Sequence, residues 1–409
     1  MSLRARVAPV APAFTVAEVL REALPAYARA HRLPPHHWRV LRAIMSCRTP
    51  ELGGHLYQCS KCAERQFVPH SCRNRHCPTC QGANGYAWMQ AQAEALLPVP
   101  YFHLVFTLPH ALNPVIRQNR ARCYDLLFFC AAMTLREFGR RELQAQLGIT
   151  TVLHTWSQTL EGHYHLHCIV TGGGLREDGS WAGRPPHWLF PVRALSAVFR
   201  GKFRAGLQQL YQDGRLEFHG QLQPLAAPAA FAQLIRQATR KKWVVYAKRP
   251  FAGPEVVLAY LARYTHRVGI TNHRILALDK TAGTVRFAYK DYADHCRAKT
   301  QTIAGTEFVR RLQLHLLPER FVKIRHYGLL ANRNRHTRIA QARAALPPAP
   351  EPAAPPPVPT ATEQAAPEAP IGLPVCCPHC HQRADWVLVE RVGPQHQRLR
   401  CAVPYLDSS

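Results

Sequence analysis

The eight residues His163-Tyr164-His165-Leu166-His167-Cys168-Ile169-Val170 hold the densest run of reactive side chains in the sequence. In a β-strand, residues two apart share a face. His163, His165 and His167 would then stand in a row, with Cys168 and Val170 continuing the alternation. Imidazole is the commonest side-chain metal ligand, and two on neighbouring same-face positions can grip one divalent ion. The same spacing also fits an ordinary strand whose histidines are half exposed or hydrogen-bonded. Thr150–Thr155 reads as a second strand, and the short connection Gln158–Gly162 predicts an antiparallel hairpin between the two. His154, eleven residues before His165, would fold back across that hairpin and offer a third ligand.

The cysteines carry a second chemistry. Of 14 in the chain, six fall between Cys47 and Cys80 and four between Cys376 and Cys401. Clustering at short spacing, in a cytosolic context, points to metal rather than disulfides. Cys59-Ser60-Lys61-Cys62 and Cys77-Pro78-Thr79-Cys80 are two CxxC pairs. Each turns back to present two thiolates, and together they predict a closed tetrahedral zinc site of the zinc-ribbon kind with ligands Cys59, Cys62, Cys77 and Cys80. Cys47, His55, Cys72 and His76 could form a second zinc site or be local packing residues. The tail, Cys376-Cys377-Pro378-His379-Cys380-His381 with Cys401 beyond, has the makings of a small zinc module. Cys376, His381 and His396 compete there for the missing ligand.

A third group is tyrosine in a basic setting. Pro254–Arg267 reads as a helix, with Pro254 in its first turn. Tyr260 and Tyr264, four residues apart, would share one face, beside Arg263, His266 and Arg267. An aromatic stripe packed in a core has the same spacing, although the flanking charges argue against full burial. Arg240, Lys241, Lys242, Lys248 and Arg249 surround Trp243-Val244-Val245-Tyr246. Cations interleaved with aromatics suit a groove that tracks a nucleic-acid backbone and stacks bases. Arg325 falls in a further basic stretch, Pro318–Gly328.

These groups form one coherent chemistry. A divalent ion held by imidazoles can polarise and orient a scissile phosphodiester. A tyrosine hydroxyl can attack it in line and leave a covalent phosphotyrosine with a free 3′-hydroxyl. A second tyrosine one turn away could hold or take back a strand. A nuclease that clamps two metals with carboxylates would need several well-placed Asp and Glu, and these are sparse: 25 against 52 Lys and Arg.

The elements that position these residues follow from length and composition. The 409 residues suffice for two or three domains, and 47% hydrophobic content supports a globular majority. A formal net charge of +27 points to a polyanionic partner, usually nucleic acid. A membrane is not expected: the longest apolar run, near Leu126–Met133, is too short to span a bilayer, and no lipidation signal or signal peptide is evident. A cytosolic, nucleoid-associated chain is the expectation. The order reads as a helical leader (1–36), a zinc-binding domain (37–95), a larger domain (96–343), a Pro/Ala-rich spacer (344–374) and a cysteine-bearing tail (375–409).

From Cys47 to Arg335 the sequence resembles the HUH-type two-tyrosine transposases of rolling-circle insertion sequences, the IS-ninety-one-like family. The resemblance is carried by Ser71-Cys72-Arg73-Asn74-Arg75-His76-Cys77-Pro78-Thr79-Cys80-Gln81, Phe106-Thr107-Leu108-Pro109 and His154-Thr155-Trp156. It continues through His163–Val170, Gly172-Gly173-Gly174, Trp243–Phe251, Tyr260–Arg267 and Ile324–Ala331. It implies an α+β fold: a zinc-binding module, then an endonuclease domain with a central antiparallel sheet and packed helices. It implies His165 and His167 as ligands of a catalytic Mg²⁺ or Mn²⁺, with His154 as the third and His163 as the alternative. Tyr260 and Tyr264 become the paired nucleophiles, the leading cysteines hold structural Zn²⁺, and the partner is single-stranded DNA at element ends and target. A replication initiator or relaxase shares this chemistry. A non-catalytic zinc-dependent DNA-binding protein would need the cysteines but neither His165, His167 nor Tyr264. Oligomeric state is not legible.

Overall fold

The computed structural model describes residues 12–81, 95–185, 189–248, 267–347, 376–383 and 385–394. Its strands are β1 Gly54–Cys59, β2 Arg65–Pro69, β3 Tyr101–Thr107, β4 Ala145–Trp156, β5 Gly162–Arg176, β6 Trp181–Gly183, β7 Val245–Lys248, β8 Ile275–Asp279, β9 Thr284–Asp291, β10 Arg297–Ala304, β11 Ile324–Gly328 and β12 Trp386–Val392. They form three antiparallel sheets, ordered β11-β4-β5-β3-β7 with β6 on β5, β10-β9-β8, and β12-β1-β2. The architecture is α+β.

The large sheet is sided by the two-residue period of its strands. Phe102, Leu104 and Phe106 of β3 and Tyr164, Leu166, Cys168 and Val170 of β5 face one way. They meet buried residues of helices Arg120–Leu143 and Val192–Gln212 in the main core. Deletion of such fully buried side chains costs about 2–5 kcal/mol each, so register here is strongly specified: a one-residue slip would invert the faces. The opposite face carries the histidines. Helix Arg335–Ala345 covers its far end, where Ile339 and Ala342 pack on Tyr101 and Ile169.

The helical leader is not separate. Helix Val16–Ala30, closed at its start by a Thr15–Glu18 capping box, buries Val16, Val19, Leu20, Leu24 and Tyr27. These residues share a core with Phe287 of β9 and with Phe308 and Val309 of helix Gly305–Gln313. Cys77 and Cys80 join the same core, so the cysteine-rich segment is anchored to a sheet more than two hundred residues away in sequence.

Candidate functional site

The expected hairpin forms as β4 and β5. His154 lies directly opposite His165, and Val152 opposite His167. In an antiparallel pair, opposed residues share a face, so His154 and the alternate histidines of β5 converge. One ring nitrogen from each of His154, His165 and His167 lies within 4.8 Å of the others. His154 is 2% exposed and His167 8%, while His165 is half-buried. His163 shares the face but stands outside this group, its Nδ1 3.1 Å from Nε2 of His110.

Burial sets the protonation of these rings. It is the main cause holding His165 at about 3, ahead of the neighbouring His163. It also holds His167 well below the ordinary imidazole value, with His154 and His165 acting in the same direction. His165 and His167 are therefore neutral at pH 7, as metal ligation requires. His165 Nδ1 donates to the carbonyl of His163 at 3.0 Å, which leaves the Nε2 lone pair available. The donor set thus fits a divalent cation: three imidazoles, converging and largely out of water.

Three surrounding residues support the rings. His103 of β3 places Nε2 2.8 Å from Nδ1 of His167, with the rings nearly parallel at an 8° interplanar angle. Trp156 stacks on His154 at 4.6 Å between centroids. Lys323 sits 5.6 Å from the Trp156 ring centre and donates to the carbonyl of Arg267 at 2.8 Å. Burial, then the charge of Arg75, brings Lys323 down to about 7. Sequence reading assigned none of the three a role at the site, although Trp156 stands in the motif His154-Thr155-Trp156. A lone histidine in the apolar run Tyr101–Thr107 was the available signal for His103, because a buried polar group requires a partner.

Of the remaining site residues expected from sequence, Tyr260, Tyr264, Arg249 and Arg263 lie outside the described residues. Arg267 is described, and its charge lies close enough to His165 and His167 to disfavour their protonation. Lys248 in β7, and Arg240, Lys241 and Lys242 between the preceding helix end and β7, are exposed, as are Tyr246 at 52% and Val244 at 62%. Tyr246 pairs across to Val105, which pairs to His167, so Tyr246 shares the histidine face. Two expectations change. Trp243 is buried against Phe199 and Phe203 and donates to the Ala238 carbonyl at 2.8 Å, so it offers no stacking surface. Arg325 points to the opposite, helix-covered face, 4.2 Å over the Phe128 ring and paired with Asp125.

The cysteines partition differently from the expected Cys59-Cys62-Cys77-Cys80 quartet. Cys77 and Cys80 gather with Cys47 and Cys72, whereas Cys59 and Cys62 gather with Cys377 and Cys380 of the tail. Spacing within a CxxC turn is local and legible, but which turns meet is decided by tertiary packing. In the first quartet, Cys80 Sγ lies 3.5 Å from Cys47 Sγ and 3.6 Å from Cys72 Sγ. A zinc tetrahedron with bonds of about 2.3 Å has edges of about 3.8 Å. The backbone N–H groups of Cys72 and Asn74 donate to Cys47 Sγ and Cys72 Sγ, each at 3.5 Å. His55 and His76, the other members of the expected second site, lie elsewhere. His55 rests edge-on against His70, and His76 Nε2 accepts from the Leu317 N–H at 3.4 Å. In the tail, Cys376 is exposed, His381 is outside the quartet, and His396 and Cys401 lie beyond the described residues.

Residues 148–338 match the family model described as "Putative transposase", and residues 19–108 match "Transposase zinc-binding domain". Together they define the class: a transposase with an N-terminal zinc-binding domain. The chain belongs to the IS91-type transposase family. It is 44% identical over 335 residues, 81% of this chain and 84% of the other, to "Putative transposase y4qJ" of Sinorhizobium fredii (strain NBRC 101917 / NGR234). It is 30% identical over 299 residues, 71% of this chain and 69% of the other, to "Transposase for insertion sequence element IS801" of Pseudomonas savastanoi pv. phaseolicola. Among solved structures, a copper-bound complex of the conjugative relaxase TrwC with oriT DNA aligns at a TM-score of 0.23 and 18% identity, over 42% of this chain and 71% of that one. A metal-bound TrwC complex aligns at 0.23 and 14%, over 63% and 98%. Among the described residues no helix is long and apolar enough to cross a membrane.

Proposed function

We infer that this transposase cuts single-stranded DNA at insertion-sequence ends through a 5′-phosphotyrosine and passes the strand on in a rolling-circle-like transfer. The observation that carries this reading is the convergence of His154, His165 and His167 across the β4–β5 hairpin. A divalent ion such as Mg²⁺ or Mn²⁺ held there would polarise the scissile phosphodiester. The three imidazoles would fix its place, and His103 would fix the His167 ring. Arg267, whose charge reaches the histidines, stands three residues after Tyr264, a tether of about 11 Å at full stretch.

In the cleavage step a tyrosine Oη bonds to phosphorus as the P–O3′ bond breaks. The phenolic proton is lost to solvent, and the 3′ oxygen takes one up. The phosphotyrosine conserves the ester, so a 3′-hydroxyl can later reverse the step without hydrolysis. The second tyrosine provides for a second strand. The exposed edge Arg240–Lys248 would steer the DNA backbone, with Tyr246 as a stacking platform. The first cysteine quartet would hold a structural zinc in the matched zinc-binding domain.

Purified protein incubated with Mn²⁺ and a single-stranded element end should nick it and become covalently attached, and chelation by EDTA should stop both. If Tyr260→Phe/Tyr264→Phe attaches to DNA as well as the parent, the nucleophile assignment fails.

A further inference from the structure

The tail does more than follow the Pro/Ala-rich stretch. β12 pairs with β1 along its length, from Gly54 opposite Val392 to Cys59 opposite Trp386. Ser60 N–H extends the ladder to the carbonyl of Asp385 at 3.1 Å. Gly53 makes room for this strand. Its φ is +71°, and a Cβ there would lie 2.4 Å from the Val392 carbonyl oxygen.

The pairing brings two CxxC turns face to face, and the turns are built alike. In the first, Cys59 N–H donates to the Glu64 carbonyl at 2.9 Å and Ala63 N–H returns to the Cys59 carbonyl at 3.0 Å. In the second, Cys377 N–H donates to the Gln382 carbonyl and His381 N–H returns to the Cys377 carbonyl, both at 2.9 Å. The residue after the second cysteine is left-handed in both, Ala63 at φ +59° and His381 at φ +56°. A left-handed non-glycine residue is uncommon, and two in matched positions indicate one shared geometric demand. The four sulfurs lie within 4.8 Å of one another, with Cys62 Sγ 3.6 Å from Cys377 Sγ. A disulfide would need about 2.05 Å, whereas the edge of a zinc–thiolate tetrahedron is about 3.8 Å. Cys59 and Cys377 are buried, and among the described residues their cluster contains otherwise only Cys62, Cys380 and Trp386. Val387, Leu388 and Val389 remain exposed. So small an apolar contact would not by itself hold the end of the chain in place.

We propose that Cys59, Cys62, Cys377 and Cys380 form a second structural zinc site, separate from Cys47-Cys72-Cys77-Cys80, and that zinc fastens the tail to the N-terminal domain. Half of its ligands lie beyond residue 338, outside both matched domains. Four thiolates close the coordination shell, so the site anchors and does not catalyse. The tail is thereby the third strand of the zinc-binding module and not an independent appendage.

The test uses the full-length chain. Metal analysis should find two zinc ions per chain, and one in Cys377→Ser/Cys380→Ser. A protease recognition sequence placed in the Pro/Ala-rich stretch allows the tail to be cut free. After cleavage the tail should co-elute with the body on gel filtration, and should separate when it carries Cys377→Ser/Cys380→Ser. That variant leaves every N-terminal cysteine in place, so it stays informative if Cys59→Ser/Cys62→Ser fails to fold. One zinc in the parent chain, two in the variant, or a variant tail that co-elutes as the parent tail does would each overturn the proposal.

Discussion

Replacing His103 with phenylalanine removes the nitrogen that faces His167 at the proposed metal site. His103 and His167 stack with centroids 5.1 Å apart, and their nitrogens are 2.8 Å apart in a buried setting. For His167 to offer Nε2 to a metal, Nδ1 must carry the proton and donate it to His103 Nε2. His103 can accept, because burial, then the charge of Lys248, keeps it neutral with its value at about 3. His103→Phe keeps a planar aromatic ring at this buried position, though a larger one that the core must accommodate. For His167, what is lost is the acceptor. A buried donor left unsatisfied costs about 1–3 kcal/mol, and removal of such an outer partner typically weakens metal binding by about 10–100-fold. The two figures agree, since tenfold is about 1.4 kcal/mol. Mn²⁺ binding can be followed directly by loss of the free-ion electron paramagnetic resonance signal, and nicking by the Mn²⁺ concentration at half-maximal rate. Both midpoints should rise by about 10–100-fold, while the rate at saturating Mn²⁺ stays near that of the parent. Unchanged midpoints would refute the orienting role. A rate that stays depressed at saturating Mn²⁺ would mean that His103 acts on something other than the metal.

Two further outcomes test the scaffold. His315 is buried, with Nδ1 3.1 Å from Thr155 Oγ1 and Nε2 2.8 Å from the Leu160 carbonyl. Burial lowers it to about 4, against the raising effect of that carbonyl. Its folded value lies below the unfolded value of about 6.5, so the stability it contributes is complete above pH 6.5 and is lost as pH falls towards 4, in all about 3 kcal/mol. Urea midpoints at pH 7.5 and 4.5 should show a steeper loss for the parent than for His315→Gln, and equal losses would contradict this. Gly328 adopts φ +63°, and a Cβ there would lie 1.8 Å from the Leu147 carbonyl oxygen. Gly328→Ala should cost at least about 2 kcal/mol by thermal unfolding. Gly179→Ala, at φ +83° with open space around it, should cost about 1 kcal/mol or less.

What the sequence disclosed was mostly what local periodicity determines. The alternation of His163, His165 and His167 against Tyr164, Leu166 and Cys168 set the faces of β5, and turn length set the antiparallel partner that brings His154 to the site. The CxxC turns were visible for the same reason, since each is a short local unit closed by its own backbone bonds. Their assortment was not visible. Cys59 and Cys377 are separated by more than three hundred residues, and they meet only because β12 adds to β1. That edge pairing has no periodic signature, because Val387, Leu388 and Val389 are all exposed. Trp243 and Arg325 turn away from the histidine face for a related reason: composition marks a stretch as basic and aromatic, but core packing buries Trp243 and the register of β11 aims Arg325 at Phe128.

Net charge alone therefore does not place DNA on this molecule. The surplus says how many cations exceed the acids, not where they stand, and several cations are matched locally: Arg310 and Arg311 with Glu307 and Glu161, Lys299 with Asp291 and Asp294, Arg325 with Asp125. Exposed pairs of this kind contribute little to stability, about 0–1 kcal/mol each, but they neutralise charge where it stands. Near the β7 edge, Arg240, Lys241, Lys242 and Lys248 are exposed within one short run, and the register carries Tyr246 onto the row that continues through Val105 to His167. A strand tracking those cations and stacking on Tyr246 would be led across β3 to the imidazoles. The helix-covered face, although it holds Arg325, offers no such approach because its apolar side chains are already buried in the main core. The two-residue period that sorts the core from the histidines also puts Lys248 and Tyr246 on the histidine face and Arg325 on the other.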